Sequence, residues 1–382
     1  MPLIVLILII LAVLIFPKLF LFVYLIFKDS IDKKNSKLIN VFDFLLFLYL
    51  SAILSLMLAD RPYFLGKEIG FGEDMLHYYN AFEWVINSSF KQFFLNFNEI
   101  TALTGSAEPI FWIIIKLLGL YIKEPYYIHV SLTFLGCSLI YLAGQIWNKQ
   151  GLLFLFFYTN TITFFAFQGS AIRSGLAFSF AILGYVLFIR NKSKWFQFLS
   201  PFVHYSMIPI PLISYSSVID FKNKRKLFKI SFVALIFFVG LLFIGLNSLE
   251  AGLGLKVTTR LSEDIFDASS VLQFLLESMF TIIIIFTIFK NIVDKELKIS
   301  LVLFFVMSLL LLMISPSIFS RFYRYEYFIF IIIYSSIFSK SKVLIKFLIM
   351  FFSLSWFLYL GFDRFIGVFA EDFFDYINLI LI

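Results

Sequence analysis

Long apolar runs, interrupted by short polar breaks, set the pattern of the chain. A membrane helix needs about 20 mostly apolar residues. Residues 3–27, 38–59, 126–146, 151–168, 170–189, 227–247, 270–289, 299–315, 322–339 and 343–360 are read as ten full spans. Two further runs behave differently. Residues 109–122 ("PIFWIIIKLLGLYI") are short for a span and carry Lys116. Residues 195–219 are long enough but contain Pro201, Pro209 and Pro211. Proline removes a helical hydrogen bond, and irregular backbone at lipid depth must be buried in protein or line a wet cavity. Both runs are therefore expected to be re-entrant or broken. The first run has no basic n-region and no small-residue cleavage site, and is too long for a signal peptide, so it is expected to be a retained span. The expected fold is all-α: one polytopic integral membrane domain over residues 1–382, without a linker, a soluble domain or the internal repeat of many transporters.

Composition agrees with the pattern. The chain is 61% hydrophobic and 21% aromatic, with 55 phenylalanines and only 14% charged residues. A soluble domain is about half apolar and about a quarter charged. The net charge of +7 would raise nucleic acid as a partner of a soluble protein. Here the lysines sit in short loops, as membrane topology demands, and nucleic acid is excluded. The basic loops are residues 28–37, 190–194, 222–229 and 290–298, with Lys340, Lys342 and Lys346. All become cytoplasmic if 109–122 does not cross and 195–219 returns to the side it left. Both termini then lie outside, as does the long loop 60–108. That loop holds seven acids (Asp60, Glu68, Glu73, Asp74, Glu83, Glu99, Glu108) against three bases (Arg61, Lys67, Lys91). The single Cys137 forms no internal disulfide, and one Cys with three separated histidines (His77, His129, His204) makes no zinc pattern.

This topology gathers a set of polar residues on one side of the membrane. Asp74 and His77 are three apart in the outer loop and share a face if the segment is helical. Glu108 opens the run 109–122 within "GSAEPIFW", and His204 lies in the broken run within "SPFVHYSM". Arg173, in "FQGSAIRSGLAF", is the sharpest signal, because a charge at lipid depth costs about 2.5–3.5 kcal/mol and must find an anion. Arg321 and Arg324 share a face, with Glu326 beside them as a pairing partner. Glu73, Glu83 and Glu99 are read as solvated, and Lys116 as snorkelling to a surface. Tyr78, Tyr79, Trp84 and Trp112 suit an interfacial belt and sugar stacking equally; His77, Tyr78 and Trp112 are the candidate acceptor-binding residues. Arginine forks bind phosphate oxygens in pairs, and a carboxylate or histidine can take a proton from an attacking hydroxyl. The implied substrate is an anionic lipid with a diphosphate leaving group, entering from the bilayer. Asp74 beside Glu73 is not a DxD pair. No cofactor and no required metal are predicted, although a divalent cation is compatible with the pattern.

These residues also carry a resemblance. The pieces "GFGEDMLHYYNAFEW", "AEPIFWIIIKLLG", "QGSAIRSGLAFSFAILG", "FLSPFVHYSMIPIPL" and, more loosely, "FSRFYRYEYF" resemble, in order and spacing, the EpsG/Wzy-type family of membrane polysaccharide polymerases. The likeness spans roughly residues 40–340. It implies a GT-C-like glycosyltransferase of O-antigen, capsule or exopolysaccharide synthesis, multi-pass in the bacterial inner membrane, with its active face periplasmic or extracellular. Such an enzyme moves a growing glycan from undecaprenyl diphosphate to the non-reducing end of a new lipid-linked repeat. On this resemblance Arg173 with Arg321 or Arg324 would hold the donor diphosphate. Asp74 or else His204 would be the base, and Glu108 would orient the acceptor or the hairpin. The implied partners are undecaprenyl-diphosphate-linked glycans and membrane lipid, with a chain-length regulator and a flippase as candidate protein partners. The rival readings are a flippase for the same lipid-linked units and a ligase or acyltransferase, the last resting on His204.

Overall fold

The computed structural model describes residues 16–28, 36–65, 72–104, 108–169, 171–217, 268–314, 319 and 322–365. The expected span at 227–247 and most of the first span lie outside these residues. The described residues are helical throughout their regular elements. In order they form α1 (Pro17–Phe27), α2 (Ser36–Leu65), α3 (Gly72–Asn87), α4 (Phe90–Leu95), α5 (Phe97–Thr104), α6 (Pro109–Leu118), α7 (Pro125–Asn148) and α8 (Gly151–Thr159). Then come α9 (Ile162–Gly169), α10 (Ile172–Ile189), α11 (Leu199–Val203), α12 (Pro209–Ser217), α13 (Ala268–Thr287), α14 (Lys295–Ile314), α15 (Tyr327–Ser339) and α16 (Val343–Phe365).

Among the described residues, four helices are long and apolar enough to cross a membrane: Lys37–Asp60, Pro125–Asn148, Ile172–Ile189 and Lys295–Met313. The helix pair α5 and α6 bends by 105°, the geometry of a broken span or re-entrant loop. The proline-rich run 195–219 is also broken. It divides into the 3₁₀ turn Phe196–Phe198, α11, the 3₁₀ turn Tyr205–Met207 and α12. The break falls at His204, whose backbone is extended (φ −157°, ψ 120°). Pro209 opens α12, where its missing N–H would have had no intrahelical partner.

The expected single span at 151–168 is instead two helices that meet at Asn160 and Thr161. The Asn160 N–H closes the end of α8 on the Phe156 carbonyl at 3.1 Å. The Thr161 hydroxyl donates back to the Tyr158 carbonyl at 2.7 Å and accepts from the Phe164 N–H at 3.2 Å. A side chain that offers the backbone both a donor and an acceptor competes with helix continuation.

Helix α10 is the centre of the packing. It lies against α7, α9, α11, α12 and α15, and 83% of its length is buried, against 33–44% for the other three spans. Gly184 allows this closeness on one side: a Cβ there would stand 2.5 Å from the Gln197 Cα. The outer helices leave leucine, phenylalanine and isoleucine exposed along one face, as in Leu45, Phe280, Ile283 and Phe351, which suits contact with acyl chains. Within α2, the buried Asp43 accepts from the Tyr24 hydroxyl at 2.7 Å and pairs with Lys28, joining α1 to α2.

Candidate functional site

The segment 60–108 contains its own helices, and α3 explains why. Tyr78, Ala81, Phe82, Val85 and Ile86 recur at helical spacing and are all buried, whereas His77, Asn80, Glu83 and Asn87 face outward. This amphipathic stripe packs against α5, α6 and α7. Its lower rim is aromatic: Trp112 lies 5.0 Å from Phe111, 6.2 Å from Phe82 and 6.4 Å from Tyr78, ring centre to ring centre. Trp112 is fully buried. It supports Tyr78 from beneath and has no open face on which a sugar could stack.

Lys116 does not snorkel to a surface. It is buried, and its Nζ donates to the carbonyl of Val85 at 2.8 Å, to that of Ile86 at 3.5 Å, and to that of Ser88. Val85 and Ile86 lie in the last turn of α3, whose carbonyls have no partner within the helix, and Ser88 lies just past its end. A lysine from α6 therefore clamps α3 in register with the helix that Glu108 precedes.

Above this platform, residues from four separate stretches converge. Glu108 directly precedes α6, and Arg173 is the second residue of α10. The Arg173 guanidinium donates from Nη1 to Glu108 Oε2 at 2.8 Å. Its Nε–H donates to the Tyr78 hydroxyl, and its carbon lies 5.1 Å from the Tyr78 ring centre. The second Glu108 oxygen, Oε1, meets His204 Nδ1 at 2.8 Å, at the break between α11 and the next turn. Glu108 is thus a bridge, with one oxygen on a guanidinium and the other on an imidazole. Glu108 is 4% exposed and Arg173 9%, and His204 is half-buried. A cation in the first turn of a helix faces the positive end of the helix dipole. The carboxylate offsets that placement as well as the burial of the arginine.

The fifth sequence motif joins the site through Ser206. Tyr325, in the 3₁₀ turn Tyr323–Glu326, shares a hydrogen bond of 2.6 Å with Ser206, two residues from His204, and its ring lies 5.5 Å from Phe167. Arg324 is half-buried on the same turn. Glu326 does not pair with Arg324: it is buried and accepts from the Ser278 hydroxyl at 2.7 Å. Asp74 lies in the first turn of α3, one turn before the exposed His77; its side chain, like the whole of Arg321, lies outside the described residues. Among the described residues, no three His, Cys, Asp or Glu side chains group as metal ligands would.

Two residues near the site, His129 and Gln168, were given no role by sequence, and Tyr79 was read there only as an interfacial or sugar-stacking ring. His129 is fully buried in α7. The usable signal was a histidine inside an apolar span, since ionisable residues at that depth are rarely idle.

A family model described as the EpsG family matches residues 62–377, a stretch that contains every residue of the site. Two curated relatives carry the same name, "EPS I polysaccharide export inner membrane protein EpsF". The one from Ralstonia solanacearum is 32% identical over 130 residues, which are 34% of this chain and 31% of that protein. The one from Ralstonia nicotianae is 24% identical over 330 residues, 80% of this chain and 77% of that protein. No solved structure matches.

Proposed function

The chain belongs to the EpsG family, and from that premise we propose that this multi-pass membrane protein of polysaccharide biosynthesis is a polymerase of lipid-linked repeat units. The donor is a growing glycan on undecaprenyl diphosphate, and the acceptor is the terminal hydroxyl of a new lipid-linked repeat. The acceptor oxygen bonds to the anomeric carbon of the donor, the bond from that carbon to the diphosphate oxygen breaks, and the diphosphate leaves with the electron pair. The hydroxyl proton passes to a base. The active face is the periplasmic or extracellular side of the inner membrane, a reading supported by the positive-inside rule, which assigns the basic residues 190–194 to the cytoplasm, and by Arg173 lying at the other end of α10.

The observation that carries this reading is the buried chain Arg173–Glu108–His204. An imidazole whose Nδ1 faces a carboxylate carries its proton there, so Nε2 becomes the atom that takes the acceptor proton. This favours His204 as base over Asp74, with Glu108 holding the ring. Arg173, aided by Arg324 and Arg321, stabilises the charge that grows on the leaving diphosphate. Tyr78 and His77 border the acceptor side.

The test replaces Arg173 by Ala and, separately, by Lys, and reads surface polysaccharide on a gel. The expected outcome for Arg173→Ala is collapse of the ladder to a single repeat at a normal protein level. Arg173→Lys keeps the charge but not the two-pronged donor, so chains stay short. An unchanged ladder in Arg173→Ala overturns the reading.

The word "export" in the relatives' name favours a second reading, movement of the same lipid-linked units across the membrane. Purified protein separates the two. Conversion of lipid-linked repeats into longer chains without ATP or nucleotide sugar supports the polymerase. Transfer across a vesicle without any new glycosidic bond supports transport.

A further inference from the structure

Gln168, at the C-terminal end of α9, stands just ahead of Arg173 in the chain. Its backbone carbonyl accepts from His129 Nε2 at 2.7 Å. Such end-of-helix carbonyls lack an intrahelical partner, and away from water an unsatisfied one is costly. The Gln168 side chain donates to the Tyr158 hydroxyl at 2.9 Å and lies against two residues that lack a Cβ. A Cβ on Gly136 would stand 2.5 Å from Gln168 Nε2, and one on Gly175 would stand 2.8 Å from Gln168 Cδ. The turn after Gln168 is closed by the Ala171 N–H on the Ala166 carbonyl at 3.0 Å, and Arg173 follows two residues later.

His129 has a second partner. Because Nε2 faces a carbonyl, it carries the proton, and Nδ1 then accepts the Tyr79 hydroxyl at 3.1 Å. Tyr79 is the neighbour of Tyr78, whose hydroxyl receives the Arg173 Nε–H. The contacts therefore form a closed circuit. It runs from Tyr78 in α3 to the Arg173 side chain, back along the chain to the Gln168 carbonyl, across to His129 in α7, and through Tyr79 to α3 again.

We propose that His129, oriented by Tyr79, is a positioning residue that sets the backbone from which Arg173 reaches its site, so that one helix, α3, holds this arginine both at its side chain and at its root. His129 touches no substrate in this arrangement. The inference deepens the polymerase reading and rests on it for its effect on activity, but not for its effect on Arg173 itself. Displacement of a charge-stabilising group by about 1 Å costs on the order of 100-fold in rate, so a loose turn should show as short chains.

The test uses the full-length protein in cells that lack the native copy. His129→Leu keeps bulk and removes both ring nitrogens; His129→Gln restores an N–H near the position of Nε2; Tyr79→Phe removes one hydroxyl. Three quantities are read for each: polymer chain length, protein amount in the membrane, and the rate at which phenylglyoxal modifies Arg173, followed by mass spectrometry. The expected result for His129→Leu is polymerisation slowed about 10- to 100-fold at a normal protein level, with faster modification of Arg173. His129→Gln should restore both. Wild-type values for chain length and Arg173 reactivity in His129→Leu overturn the proposal, as does a loss that His129→Gln fails to restore. If His129→Leu does not accumulate, Tyr79→Phe decides: faster Arg173 modification supports the proposal, and an unchanged rate overturns it. The two readings fail separately. An intact ladder in Arg173→Ala removes the polymerase role, while altered Arg173 reactivity in the His129 variants would still stand.

Discussion

Glu108 spends each of its oxygens on a different cation-forming side chain. Taking away one member of a buried ion pair leaves a charge without compensation, at a cost of about 3–5 kcal/mol. Glu108→Ala is therefore expected to lower the melting temperature of the detergent-purified protein. Glu108→Gln combined with Arg173→Gln, which removes both charges, should recover most of that loss while polymer stays absent. If the double variant melts no higher than Glu108→Ala, the pair is not the stabilising unit. Sequence alone marked Glu108, Arg173 and His204, because a charge or an imidazole in an apolar run is costly enough to need a reason. It did not show that they meet, since the partners lie 65 and 96 positions apart. Asp74, a candidate base on the family resemblance, has its side chain outside the described residues, among which Glu108 is the acid that Arg173 meets. Trp112 was read as an interfacial or sugar-stacking ring, and Lys116 as snorkelling to a surface, for a plain reason. A ten-residue apolar helix has the same composition whether lipid or protein covers it.

Among elements, the pair α3 and α6 has most influence on the site, because α3 supplies Tyr78 and Tyr79 while α6 begins beside Glu108. Lys116 fastens one to the other. Hydrogen bonds from a charged donor are worth about 1.5–3 kcal/mol, so Lys116→Met should let the last turn of α3 open on the order of 10- to 100-fold more often. Hydrogen–deuterium exchange over residues 82–92 measures this, and unchanged exchange there would deny Lys116 its clamping role. The breaks between elements were unevenly legible. The prolines announced the break in 195–219, and Pro209 sits where a helix tolerates one. Nothing of that kind marked the break at Asn160 and Thr161, which depends on hydroxyl and amide groups choosing backbone partners. The helical character of the 60–108 loop was visible only in the aromatic, amphipathic stretch of α3.

For the molecule as a whole, α10 sets the layout. Its 18 residues make a rod about 27 Å long, with Arg173 at one end and the basic loop 190–194 just past the other. The sole cysteine, Cys137, is buried, so introduced cysteines are reporters against a silent background. Lys91→Cys should react with a membrane-impermeant maleimide in intact spheroplasts, and Lys192→Cys only after lysis. The opposite pattern would invert the orientation and move the site to the cytoplasm. The membrane class was legible in composition alone, whereas the number of complete crossings was not. Hydropathy cannot tell one long helix from two short ones that share the same depth. The heavy burial of α10 has a mechanical consequence. Acyl chains of different length will tilt the lipid-bathed helices around it, but they do not grip the rod that bears Arg173. Bilayer thickness should therefore change how the jacket leans far more than where the guanidinium stands.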